Sequence, residues 1–245
     1  MVPYIGFGSQ SFHRDKFMNA ETTRKIRLIM HLRSMGISDT DVLSAMERVP
    51  REMLIPKAMR DQAYEDIAVP IGRGQTISQP LVVATMTQAL KITDRDKILE
   101  VGTGSGYQAC VLAHLCRRVY TIERHKPLLR LAEKVFDTLK LRNITAIAGD
   151  GMKGWAQQAP FDKIIVTACA HLQPPQELFD QLKVGGIMVV PVALHDGQQF
   201  LRRYKKEGED TFSMKDIMPV RFVPLLPHIA SESEEQEDAP AYGGV

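Results

Sequence analysis

The segment Ile98-Leu99-Glu100-Val101-Gly102-Thr103-Gly104-Ser105-Gly106-Tyr107 constrains this chain more than any other. It reads as a short buried strand, a glycine-rich turn and the start of a helix. Glycines let the backbone turn sharply and let a ligand approach without interference from a Cβ. In an open α/β sheet, the carboxyl end of such a strand is where ligands bind. The pattern that follows has one period: strand 97–101, helix 105–116, strand 118–122, helix 127–140, strand 144–148, strand 162–166, helix 175–182 and strand 187–192. Gly185-Gly186 reads as the turn before the last of these. The alternation predicts βαβ units and a parallel sheet covered on both faces. Residues 198–224 predict two further strands around the polar turn 205–210, an antiparallel edge hairpin.

Upstream the pattern is helical. A helix begins at Glu21, with Ile26, Ile29, Met30 and Met35 on one face, and Gly36 ends it. Ser38 is placed to cap a second helix, with Asp41 behind it and Val42, Leu43, Met46 and Val49 on its apolar side. Pro50 stops that helix, 51–77 reads as short helix and loop, and 79–90 is helical again. The expected organisation is an extension over 1–20, one domain over 21–230 and an acidic tail over 231–245. The domain divides into a helical part, 21–90, and an α/β part, 91–230. The tail, SESEEQEDAPAYGGV, is too poor in apolar residues to fold. A chain of 245 residues suits one such domain with a real core.

The loop narrows the ligand. A dinucleotide fingerprint, GxGxxG, would place its third glycine at 107, where this chain has Tyr107. Glu123 ends the strand Val119-Tyr120-Thr121-Ile122, where a carboxylate can accept from both hydroxyls of a ribose. A ribose without a pyrophosphate points to S-adenosylmethionine; the alternative is a plain βα turn with a surface acid. Strand 144–148 ends in Gly149-Asp150-Gly151, and Asp150 reads either as an acceptor for an adenine amino group or as an Asp-Gly turn.

These residues, taken with Val49-Pro50-Arg51-Glu52, Gly74-Gln75-Thr76-Ile77-Ser78-Gln79-Pro80, Phe161-Asp162-Lys163-Ile164-Ile165-Val166-Thr167 and Val220-Arg221-Phe222-Val223-Pro224-Leu225, resemble the protein-L-isoaspartate O-methyltransferase family over residues 22–226. The resemblance implies a Rossmann-like class I methyltransferase sheet with an antiparallel edge hairpin and an N-terminal helical addition. It implies S-adenosylmethionine as cofactor and S-adenosylhomocysteine as product. The cofactor would lie across Gly102, Thr103, Gly104, Ser105 and Gly106, with Glu123 and Arg124 at the ribose, Asp150 and Gly151 near the adenine, and Thr76 and Ile77 lining the site. Ser78 matches the active-site serine, and the backbone at Val223 would help hold the substrate. The implied substrates are isoaspartyl-containing proteins and peptides. The turn from Thr167 to Pro175 is slightly longer than the family pattern.

An isoaspartyl carboxylate, with a pKa near ~3.5–4, is ionised at neutral pH and needs no general base. Ser78 is therefore cast as a hydrogen-bond donor to it, although Ser before Gln79-Pro80 is also the setting of a helix N-cap. The histidines show no HExxH spacing; His114 reads as packed within a buried helix, and His171 lies beside the expected cleft.

Other classes find less support. Enzymes of this fold that methylate nucleic-acid amino groups carry (D/N)PP(Y/F) where this chain has Thr167-Ala168-Cys169-Ala170. The net charge of +2, with only short runs such as Arg117-Arg118 and Arg202-Arg203, gives no basic stripe for nucleic acid. A cofactor-binding module without catalysis and a nicotinamide oxidoreductase are the remaining alternatives. No apolar run approaches the ~20 residues of a membrane span. Three cysteines without CxxC spacing argue against a disulfide framework and a metal site, and for a cytoplasmic protein.

Overall fold

The computed structural model describes residues 10–231 and Glu234, with side chains from Glu21 onward. The first nine residues of the expected extension and nearly all of the acidic tail lie outside the described residues. The first helix, α1 (Gln10–Ser34), starts well before Glu21. Its buried stripe is Leu28 and Leu32, 6% and 0% exposed, whereas Ile26, Met30 and Met35 face outward. Ile and Met in the sequence suggested the wrong face, because the contact is set by where α2 (Thr40–Arg48) and α3 (Pro80–Leu90) lie. The cap of α2 is Asp39, not Ser38: the Asp39 carboxylate accepts from the N–H groups of Asp41 and Val42. Ser38 instead donates its backbone N–H to the side chain of Gln88 on α3. Val42, Leu43, Met46 and Val49 are buried, as the spacing predicts.

Residues 71–78 are not a loop. β1 (Val69–Gly72) and β2 (Gln75–Ile77) pair antiparallel as a hairpin. Its two-residue turn, Arg73-Gly74, has φ of 58° and 63°, the mirror-image turn geometry that matches strand twist.

The second sheet is the body of the protein. Its strands are β3 (Lys97–Val101), β4 (Arg118–Glu123), β5 (Ile144–Ala148), β6 (Phe161–Val166), β7 (Ala170–His171), β8 (Leu182–Ala193), β9 (Gln199–Lys206) and β10 (Phe212–Pro219). The order is β10-β9-β8-β6-β3-β4-β5, with β7 pairing beside β8. β3, β4, β5, β6 and β8 run parallel, and β9 and β10 add the expected antiparallel edge. Gly185-Gly186, expected as a turn, lies inside β8; Gly185 has φ of 81° and the register with β6 shifts there, so the strand continues through an irregularity.

From β3 the chain moves to β4 and β5 on one side, then returns to β6 on the other. That reversal opens a crevice beyond the carboxyl ends of β3 and β6. One apolar cluster, containing Leu32, Met86, Leu112 and Ile165, joins the N-terminal helices to α4 (Tyr107–Ala113) and one sheet face. A second, containing Leu99, Phe161, Leu178 and Met188, covers the other face. No helix among the described residues is long and apolar enough to cross a membrane.

Candidate active site

The crevice at the reversal is a cleft of about 780 Å³. Its floor is the glycine turn. The N–H groups of Gly102 and Thr103 both reach the Ile122 carbonyl, at 2.8 and 3.3 Å, which pins the turn to the end of β4. Thr167, just past β6, donates its hydroxyl to the Gly102 carbonyl at 2.6 Å. Gly104, at φ 51°, has open space above it: a Cβ there would meet only Ile71 of β1, at 3.6 Å. The hairpin thus lies over the glycine turn, and it delivers Thr76, Ile77 and Ser78 to the same cleft.

Glu123 is 4% exposed and faces this space. Its Oε2 accepts from the Gly104 N–H at 2.7 Å and its Oε1 from the His125 N–H at 2.9 Å. Burial raises its pKa, and backbone hydrogen bonds from His125, Gly104 and Arg124 work against that rise. A carboxylate has about four lone-pair sites, so Glu123 keeps acceptor capacity for a ribose hydroxyl. A bare glycine turn beside such an acid fits the ribose and chain of S-adenosylmethionine.

The other sequence-predicted residues sort by geometry. Thr103, Ser105, Arg124, Gly151 and Val223 line the cleft together with Thr76, Ile77, Ser78, Gly102, Gly104 and Glu123. Gly106 and Asp150 lie outside that lining. Gly106 permits close packing, since a Cβ there would fall 2.7 Å from the Phe136 ring. Asp150 Oδ1 accepts from the Met152 N–H at 2.9 Å, the Asp-Gly turn alternative. Arg124 turns its guanidinium to Glu234 at 2.9 Å and its carbonyl to the Ala230 N–H at 3.0 Å, so the C-terminal segment crosses this end of the cleft. His114 is exposed just beyond α4, not packed. His171 is an exposed residue of β7, outside the lining. Among the described residues no group of three His, Cys, Asp or Glu is placed to hold a metal ion.

Ser78 is not a cap. Gln79 occupies the N-cap position of α3 without a side-chain cap bond. Asp66, from the preceding loop, does the work: its Oδ1 accepts from the Leu81 N–H at 2.8 Å and its Oδ2 from the Gln79 amide at 3.0 Å. Ser78 itself lines the cleft. No local spacing signals this, because Asp66 is brought in by tertiary structure.

A second buried acid carries no signal in the sequence. Glu100 is 0% exposed, beneath the glycine turn. Thr121 bonds its Oε2 at 2.5 Å, and the Thr121 and Thr103 hydroxyls are 2.6 Å apart, which links this acid to the cleft. Burial raises the Glu100 pKa from 4.5 to about 8, the Thr121 bond opposes the rise, and the nearby Glu123 adds to it. Between those two values the unfolded chain is ionised at this site and the folded protein holds a proton, so stability falls as pH rises through the window. In thermal melts, Glu100→Gln should gain about 5 °C or more on the parent protein between pH 5 and pH 8. A Tm difference that stays constant over that range would show Glu100 to be ionised in the fold.

The comparisons agree with the site. The family model described as "Protein-L-isoaspartate(D-aspartate) O-methyltransferase" matches residues 23–229. This chain belongs to that family. The protein-L-isoaspartate O-methyltransferase of Rhodospirillum centenum is 56% identical over 216 residues, 88% of this chain and 97% of the relative. That of Parvibaculum lavamentivorans is 56% identical over 224 residues, 88% of this chain and all of the relative. Among solved structures, a protein-L-isoaspartate O-methyltransferase from Plasmodium falciparum in complex with S-adenosyl-L-homocysteine superposes with TM-score 0.71 at 26% identity, covering 82% of this chain and 97% of that one. The chain is thus an S-adenosylmethionine-dependent methyltransferase of the protein-L-isoaspartate family, and the helical segments preceding the sheet are part of the matched region.

Proposed function

We propose that this protein transfers a methyl group from S-adenosylmethionine to the free α-carboxylate of L-isoaspartyl residues in damaged proteins and peptides. The observation that carries this reading is the shared cleft. Glu123 and the glycine turn enter it from the sheet, and Ser78 enters from the hairpin above. Residues 21–230 act as one catalytic domain. The buried, unpaired Cys110, Cys116 and Cys169 support a reducing compartment, the cytoplasm. The near-neutral charge supports protein and peptide acceptors over nucleic acid.

When bound, the cofactor supplies a methyl group already activated on a sulfonium. The protein's task is alignment and exclusion of water. Gly102, Gly104 and Glu123 would hold the cofactor's chain and ribose. Ser78 donates its hydroxyl to one oxygen of the incoming carboxylate, leaving the other oxygen to attack. The extended run 220–225 borders the same cleft. Its Val223 carbonyl is tied to the Cys169 N–H at 2.8 Å and its Leu225 N–H to the Cys169 carbonyl at 2.8 Å, so this edge is rigid and can align a peptide backbone. In the released ester, the following backbone amide nitrogen attacks the ester carbonyl and methanol leaves. The succinimide then hydrolyses partly to normal aspartate, with no group of the protein required.

Methyl transfer from tritiated cofactor to paired peptides, identical except for Asp or isoAsp, tests this. Base-labile label is expected on the isoAsp peptide alone. Ser78→Ala should lower the rate by about 10–1000-fold without abolishing it, the scale of one positioning donor. Equal labelling of both peptides, or an unchanged rate in Ser78→Ala, would overturn the assignment.

A further inference from the structure

Arg51 belongs to a motif, Val49-Pro50-Arg51-Glu52, that the site as described does not use. Its side chain is 1% exposed, yet no carboxylate pairs with it among the described residues. Nη2 donates to the Ser78 carbonyl at 2.9 Å and to the Ile67 carbonyl at 3.3 Å. The guanidinium lies over the Tyr107 ring, 4.7 Å from its centre. Nε and Nη1 are buried, and the groups that favour the cation there are the Tyr107 side chain and, through its charge, Asp66. A buried cation held by two carbonyls and a ring face is an expensive arrangement, and an apolar side chain would pack there at lower cost. The neighbouring Glu52 is fixed by the Tyr64 hydroxyl, which holds this turn in place.

We infer that Arg51 is a positioning residue for methyl transfer: it fixes the backbone of Ser78 and ties it to Tyr107, the first residue of the helix that follows the glycine turn. The inference rests on the reading of Ser78 given above. Two elements meet through this guanidinium. Ser78 ends the hairpin that brings the acceptor side, and Tyr107 opens α4 on the cofactor side. Both line the cleft, and Arg51 lies behind them. Asp66 takes the side-chain amide of the next residue, Gln79, and the Leu81 N–H, which anchors the start of α3. The Ser78 carbonyl is thereby held by Arg51, directly before a helix start that Asp66 holds. Misplacement of the Ser78 donor by even an ångström is felt in the rate of an aligned displacement.

The test is a double-mutant cycle on the full chain. Arg51→Lys keeps the charge, but a compact ammonium cannot hold both carbonyls and stack on Tyr107. With the isoAsp peptide, Arg51→Lys should lower kcat by about 10–100-fold, and calorimetric binding of S-adenosylhomocysteine should change by less than about threefold. In the Ser78→Ala background the same substitution should cost less than about twofold, because the group it positions is gone. Asp66→Asn, which loosens the start of α3 directly after Ser78, should show the same loss of effect in that background and stands in should Arg51→Lys fail to fold. Equal costs in both backgrounds would make Arg51 a structural residue and overturn the inference. An inert Ser78→Ala would instead overturn the reading on which it rests.

Discussion

Glu123→Ala is expected to weaken binding of S-adenosylhomocysteine by about 100-fold or more, measured by calorimetric titration. The estimate follows from the bonds lost. A hydrogen bond to a charged group is worth about 1.5–3 kcal/mol, and Glu123 keeps acceptor capacity toward the ribose. The substitution also strips the Gly104 and His125 N–H groups of their acceptor, so the turn that receives the cofactor loosens. Binding should show a pH signature as well. Burial raises the Glu123 pKa, and its protonated form is the poorer acceptor, so affinity should fall as pH drops toward that raised value. In Glu123→Ala that fall should vanish. Affinity within about threefold of the parent would mean that Glu123 only braces the loop.

Gly102→Ala should be at least as damaging, and by a different route. Gly102 has φ of 96°, where an L side chain is strained, and its Cβ would fall 2.3 Å from the Thr167 hydroxyl oxygen. The strain is about 1–2 kcal/mol and overpacking adds about 1–3 kcal/mol. Thr167 would have to leave the Gly102 carbonyl, which it bonds at 2.6 Å. Both Tm and cofactor affinity should fall. Gly104→Ala is the informative contrast, since its Cβ would meet only Ile71, at 3.6 Å. It carries only the left-handed strain of φ 51°, about 1–2 kcal/mol, and no overpacking, so it should melt above Gly102→Ala while still impairing the cofactor, because the new methyl enters the cleft. Equal thermal losses at the two positions would refute the packing argument.

Most elements of the sheet were legible in the sequence because each depends on local periodicity; β7, in the segment read as a turn, was not. β3 and β5 fall where the apolar runs place them, and the hairpin of β9 and β10 folds about its polar turn. The first hairpin was not legible. Its turn puts Arg73, a residue that rarely takes positive φ, where Asn or Gly would have been a signal. The outward face of α1 misled for a related reason. Ile26 and Met30 are apolar, but burial is decided by the neighbour, and α2 and α3 meet Leu28 and Leu32 instead.

The candidate site divides along the same line. The sequence by itself determined the glycine turn after β3, the acid at the end of β4 and the serine block before α3. Backbone conformation and strand position fix those, and both are written within a few residues. Only the tertiary structure decided what each group is free to do. Asp66 takes over the cap of α3 from 15 residues away and releases Ser78. Arg51 reaches the Ser78 carbonyl across 27 residues. Glu100 holds its proton because the closed sheet excludes water from it. Hydrogen-bond partners and desolvation are properties of what surrounds a side chain, and the surroundings exist only once the chain has folded.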